Sequence, residues 1–119
     1  YNAYPFGSEI GTDTSLDFTG EMLDRGFSII LFPEGERTLD GKIHEFKSGI
    51  GYIVASMKVP VIPVKISGLF DVLPRGKLIP KFGMTSVTFS PQIKFSDRQL
   101  EKMTYDNISR IIEGKVRSL

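Results

Sequence analysis

Phe27-Ser28-Ile29-Ile30-Leu31-Phe32-Pro33-Glu34-Gly35-Glu36-Arg37-Thr38 is the stretch on which the architecture turns. Its first six residues form a short apolar run rich in β-formers, as expected of a strand covered on both faces in a parallel sheet. Pro33 and Gly35 end the run abruptly. The polar stretch from Glu34 to Lys47 contains the turn signal Leu39-Asp40-Gly41-Lys42 and reads as a long loop. Beyond it, Ile50, Ile53, Val54 and Met57 recur at i, i+3, i+4 and i+7, which predicts a helix over residues 48–58. Gly49, Gly51 and Ala55 keep part of its surface small, allowing close approach to the sheet. Val59-Pro60-Val61-Ile62-Pro63-Val64-Lys65-Ile66 reads as a second strand, whose two prolines place it at an edge or in an irregular pairing. Strand, loop, helix and strand in this order form a βαβ unit with a right-handed crossover. The expected fold is α/β, with a mixed, largely parallel sheet, a βαβ crossover and flanking helices.

Upstream, Thr14 and Asp17 have capping-box spacing, Leu16, Thr19 and Leu23 share one face, and Gly26 follows. These predict a helix over residues 15–25. Downstream, residues 73–80 are rich in proline and basic residues, residues 85–89 alternate like a strand, and residues 93–95 continue it. Tyr105, Ile108, Ile112 and Val116 predict an amphipathic helix over residues 104–117. Without an internal repeat, low-complexity tract or linker, residues 1–119 read as one unit.

The composition narrows the functions open to the chain. Its 119 residues carry 15 Lys plus Arg against 14 Asp plus Glu, one His and no Cys. A net charge of +1 argues against a general nucleic-acid binder. Thiolate sites and histidine metal clusters are excluded together. No apolar run approaches the roughly 18 residues of a membrane span, and no signal peptide is visible. The first residue is Tyr1 and not Met, so the chain is expected to be an excised piece of a longer one.

Ligands of open α/β sheets bind beyond the carboxyl ends of the strands, where the Glu34-Gly35-Glu36-Arg37-Thr38 loop is expected. Arg37 offers a planar fork of donors to a phosphate or carboxylate. Gly35 lets backbone come near a ligand, Thr38 adds a hydroxyl, and Glu34 can orient Arg37 or accept a bond from a substrate hydroxyl. The competing reading is a surface turn with a solvated Glu-Arg pair, a common and weak arrangement. A nucleotide-binding domain is disfavoured, because neither a Gly-x-x-x-x-Gly-Lys loop nor a Gly-x-Gly-x-x-Gly turn is present.

A wider pattern adds to this loop. Phe32-Pro33-Glu34-Gly35-x-Arg37-Thr38, then Phe46-Lys47-x-Gly49, then Val59-Pro60-Val61-Ile62-Pro63-Val64 closely resembles the glycerophospholipid acyltransferase family, which includes the lysophosphatidic acid acyltransferases. Leu73-Pro74-Arg75-Gly76-Lys77 and Phe89-Ser90-Pro91-Gln92-Ile93 resemble the segments that follow in that family. The resemblance covers residues 16–95. It implies transfer of a fatty acyl group from a thioester, on coenzyme A or acyl carrier protein, to a hydroxyl of a glycerol-phosphate or lysophospholipid acceptor. It further implies that Glu34, Gly35 and Arg37 bind the acceptor and its phosphate, that Thr38 assists, and that Lys47 adds a phosphate contact. Val61, Ile62 and Pro63 would help form the acyl or acceptor pocket. No resident cofactor or metal is implied.

Three departures from the family pattern matter. Its catalytic signature is His, four residues, then Asp, where His is the general base and Asp holds its tautomer. The only His here is His44, downstream of the Glu-Gly-x-Arg block, and the position five residues on is Gly49. No catalytic residue is therefore assigned, and the chain is expected to be the C-terminal, acceptor-binding part of an acyltransferase domain, inactive alone. The family's Arg-bearing second block would fall near Tyr4 to Ile10, which holds no Arg. Glu36 stands where the family has an uncharged residue, and this second carboxylate beside Arg37 lowers the positive potential, so a larger or non-phosphate head group stays open. The alternative reading is a non-catalytic lipid- or phosphate-binding module of the same fold.

Arg75, Lys77 and Lys81 interleave with Leu73, Leu78, Ile79 and Phe82, a pattern that suits either peripheral contact with an anionic membrane or a solvated hairpin flank. The expected location is cytoplasmic, with membrane association.

Overall fold

The structure, a computed structural model, describes residues 12–119. They fall into two compact units that part between Leu31 and Phe32.

In the first unit α1 runs over Thr12–Asp24. Leu16 and Thr19 are buried on one face, and the Thr19 hydroxyl donates to the Ser15 carbonyl at 2.7 Å. Helix geometry continues upstream of Thr14, so the expected capping box does not mark the start. At the other end Gly26 N–H donates to Leu23 C=O and Phe27 N–H to Met22 C=O, the paired bonds of a Schellman stop. Residues 27–32 then lie outside any helix or ladder, with Phe27, Ile30 and Phe32 60%, 82% and 72% exposed. Here the expectation fails. An apolar β-forming run specifies a strand only when a neighbour accepts and donates its backbone hydrogen bonds, and among the described residues none does. Among the described residues the sheet is a two-stranded antiparallel one, and the expected largely parallel sheet with its βαβ crossover is not seen.

The second unit contains α2 (Gly49–Met57), β1 (Val64–Ser67), α3 (Leu69–Val72), β2 (Ser86–Phe89), α4 (Asp97–Lys102) and α5 (Tyr105–Arg117). Both predicted helices sit within a residue or so of their expected bounds, because each carries one clear apolar stripe. Those stripes meet in a core of Phe46, Val54, Phe95, Ile108, Ile112 and Val116. Ile108 is wholly buried, which contributes about 1.5–3 kcal/mol relative to an exposed side chain. Tyr105, at the edge of the stripe, lies half exposed against Tyr52, their rings 5.1 Å apart.

The small residues of α2 serve a different neighbour from the one expected. A side chain at Gly51 would run into the Tyr105 carbonyl, and the Gly51 N–H donates to the Ser109 hydroxyl at 3.1 Å. The close approach is therefore to α5, not to a sheet.

β1 and β2 pair antiparallel, Val64 opposite Phe89 and Ile66 opposite Val87. The prolines shorten the predicted strand from its front. Val61 makes an isolated two-bond bridge with Ile93, while Pro63, lacking an N–H, only accepts, from Ser90. Two features had no strong periodicity to announce them, α3 and α4. α4 begins at a capping box in which Ser96 Oγ accepts from Gln99 N–H and the Gln99 side chain accepts from Ser96 N–H. No helix among the described residues is long and apolar enough to cross a membrane.

Candidate functional site

The loop after Phe32 is shaped by tight local bonds. Gly35 N–H donates to Phe32 C=O at 3.0 Å, and Gly35 takes φ +78°, a left-handed conformation that side-chain-bearing residues rarely adopt. Lys47 N–H returns to Pro33 C=O at 3.0 Å, closing the loop's base. That base is tied into the core, because the Ser109 hydroxyl donates to Lys47 C=O at 3.2 Å and Phe46 N–H donates to Glu113 at 2.9 Å. The Phe46 N–H is the main reason that the Glu113 carboxyl is held below its ordinary pKa, with Arg117 adding to it.

The loop faces the end of β1 and α3 across an open cavity of about 580 Å³. Glu34, Gly35, Arg37 and Thr38 line it, together with apolar Phe32, Ile66 and Phe70. Lys65, Leu73 and Arg75 line it as well. Among the lining side chains, three cations, Arg37, Lys65 and Arg75, stand against two carboxylates, Glu34 and Glu36. The carboxylates are already engaged. Glu36 pairs with Arg75 at 3.0 Å, and Glu34 accepts from His44 N–H at 2.8 Å. Arg37 donates from Nη2 to Leu73 C=O at 2.8 Å and makes no ion pair among the described residues. Lys65 likewise makes none. The local balance left to a ligand is therefore cationic, even though Glu36 departs from the family pattern.

The remaining sequence-predicted residues lie elsewhere. Lys47 does not line the cavity; its ammonium lies against Gly35, where a Cβ would come within 2.6 Å of it. Val61 packs against the core, Ile62 is more than half exposed and Pro63 is buried, and none of the three lines the cavity. Tyr4 to Ile10 lie outside the described residues.

Two partners escaped the sequence reading. Lys65 lines the cavity from β1, and no local signal in the sequence places it there. His44 does have a carboxylate partner: Asp40, four residues upstream, sits 2.9 Å from its Nε2. The family's order of His, four residues, then Asp would put the partner at Gly49 instead. Asp40 also accepts from Lys42 N–H and from the Thr38 hydroxyl, and these bonds, followed by His44, hold its pKa at about 2. Thr38 is thus committed to organising the loop tip.

Comparison with known proteins supplies the lineage. Residues 8–67, half of the chain, match the protein-family model described as Acyltransferase. A chloroplastic 1-acyl-sn-glycerol-3-phosphate acyltransferase of Brassica napus is 39% identical over 56 residues, which are 47% of this chain and 16% of that protein. One from Limnanthes douglasii is 27% identical over 98 residues, 82% of this chain and 34% of that protein. The crystal structure of the 1-acyl-sn-glycerophosphate acyltransferase PlsC from Thermotoga maritima superposes with a TM-score of 0.66 at 30% identity, covering 87% of this chain and 45% of that one. The chain spans less than half the length of each of these three proteins. With the ordered Phe-Pro-Glu-Gly-x-Arg, Phe-Lys-x-Gly and Val-Pro-x-x-Pro-Val blocks in place and the first of them lining the cavity, the chain belongs to the glycerophospholipid acyltransferase family.

Proposed function

We propose that this chain is the acceptor-binding part of an acyltransferase and that its cavity receives the phosphate-bearing head group of a lysophosphatidate or related glycerol phosphate. The observation that supports this most is the charge state of the cavity. Glu36 is paired with Arg75, while Arg37 and Lys65 carry no counter-ion among the described residues and outnumber Glu34, which is bonded to the neutral His44 N–H. A phosphate placed between them meets a planar fork of donors and a point charge. Gly35 brings backbone to the ligand, Thr38 and Asp40 stiffen the loop tip, and Lys47 adds positive potential behind Gly35. Val61, Ile62 and Pro63 are proposed to guide the acyl or acceptor chain, with Ile62 the exposed member.

In the reaction, the acceptor hydroxyl attacks the thioester carbonyl of acyl-coenzyme A or acyl carrier protein. A C–O bond forms, the C–S bond breaks, and the hydroxyl proton passes through a base to the departing thiolate. This sequence has no His-x-x-x-x-Asp pair to serve as that base, and its His44 is bound to Asp40 on an exposed loop. The chain's own part is to bind and orient the acceptor, and alone it should not transfer acyl groups. Its proposed setting is cytoplasmic, in peripheral contact with a membrane, without a resident cofactor.

Titrating glycerol 3-phosphate into the labelled chain and following amide resonances tests this. Shifts centred on residues 33–43 and on Lys65 are expected; their absence would overturn the reading. Head-group binding by a longer protein that also lacks the His-Asp pair would favour the alternative, a non-catalytic binding module of the same fold.

A further inference from the structure

The segment that follows Arg75 is more exposed than its composition warrants. Leu78 is 96% exposed and Ile79 82%, and Phe82 and Met84 are as open as in an extended chain. Four large apolar side chains within seven residues stand in solvent, with Lys77 just before them and Lys81 among them. The segment is not a loose tail. Lys77 N–H donates to Pro74 C=O at 3.1 Å, Lys81 N–H to Val72 C=O at 2.7 Å, and the Met84 carbonyl packs directly on Gly68. A loop tied at both ends therefore holds its apolar side chains outward, where burial within the unit does not explain them.

Charge identifies what covers them. Between Asp71 and Asp97 the sequence contains Arg75, Lys77, Lys81 and Lys94 and not one carboxylate. Arg75 is neutralised by Glu36; Lys77 and Lys81 make no ion pair among the described residues. Apolar side chains flanked by unpaired ammonium groups fit an interface whose outer layer is anionic and whose inner layer is hydrocarbon. An acidic protein surface would satisfy the lysines and leave Leu78, Ile79 and Phe82 to find a separate apolar pocket.

We infer that the loop of residues 77–84 is an interfacial anchor that inserts Leu78, Ile79 and Phe82 into an anionic bilayer while Lys77 and Lys81 engage its head groups. This deepens the peripheral membrane contact proposed above and rests on that reading for the kind of partner. It adds a geometric consequence. Leu73 and Arg75, at the start of the same loop, line the cavity, so the anchor sets the cavity mouth beside the lipid surface and shortens the path of a membrane-borne acceptor.

The test is sedimentation of the 119-residue chain with vesicles of phosphatidylcholine alone or mixed with phosphatidylglycerol. The wild-type chain should partition to the mixed vesicles at least about tenfold better, in line with roughly fivefold for each lysine near an anionic surface. The triple variant Leu78→Ser, Ile79→Ser, Phe82→Ser and the double variant Lys77→Glu, Lys81→Glu should each lose most of that binding while melting as the wild type does. The single variant Phe82→Ser gives the same readout with less perturbation. Equal partition to both vesicle types, loop variants that bind as the wild type does, or variants that change self-association in place of vesicle binding would each overturn the inference. Binding of a soluble short-chain lysophosphatidate without vesicles separates the two readings. Arg37→Ala should remove it and the loop variants should keep it, so the head-group reading and the anchor can fail independently.

Discussion

The Arg37 guanidinium bonds the backbone carbonyl of Leu73, 36 residues further along the chain, at 2.8 Å. One donor of the fork is thereby used to hold the side chain against Leu73, which also lines the cavity, and no other bond from the guanidinium is present among the described residues. Replacing Arg37 by Ala should weaken lysophosphatidate binding by more than about 1.5 kcal/mol, the lower range for a charge-assisted bond. Arg37→Lys keeps the charge but not the fork, so it should recover only part of the loss in a calorimetric titration.

Gly35 is held at φ +78° with the Lys47 ammonium against it. Gly35→Ala should cost about 1–2 kcal/mol from the left-handed backbone alone. The Lys47 side chain can swing away, whereas the backbone strain stays. Urea unfolding should therefore show Gly35→Ala with Lys47→Ala to be no more stable than Gly35→Ala itself.

Gly51 faces the Tyr105 carbonyl across the α2–α5 contact. Both sides of that contact are backbone, so an added methyl group must push the helices apart. Gly51→Ala should destabilise by about 3 kcal/mol, the upper range for overpacking. Gly49→Ala meets nothing within 4 Å and should leave the melting temperature close to that of the wild type.

Acid should loosen the second unit through two carboxylates. The Glu113 carboxyl is held low by the Phe46 N–H and then by Arg117, so its folded form binds fewer protons than the unfolded chain does. Its contribution is complete above the ordinary carboxylate range and fades as pH falls through the lowered value. Asp40, held at about 2 against an ordinary 3.8, loses its contribution between those values. Urea midpoints should be level from neutral pH down to the carboxylate range and then fall. Glu113→Gln should lower the plateau and flatten the acid limb, which a pH series of unfolding curves would show.

How much of this was legible beforehand depended on whether the signal was local. The stripes Ile50-Ile53-Val54-Met57 and Ile108-Ile112-Val116 specify their helices within a single segment, and both helices form nearly where predicted. Residues 27–32 carry an equally clear pattern, yet a strand requires a partner that its own residues do not encode. Glu34, Gly35, Arg37 and Thr38 were legible because one contiguous block carries them. Lys65 and Arg75 were not legible as cavity residues, because only the return of β1 and α3 to the loop brings them there. His44 with Asp40 was missed for a simpler reason, since the expected order was His before Asp.

Calorimetric titration of the chain with a short-chain lysophosphatidate and with the matching monoacylglycerol tests the central claim most directly, because the ligands differ only in the phosphate. The account predicts at least about tenfold tighter binding of the phosphate-bearing ligand, an advantage that Arg37→Ala removes, as expected for a lost charge-assisted contact. Equal affinity for the two ligands, or a phosphate preference that survives Arg37→Ala, would contradict it.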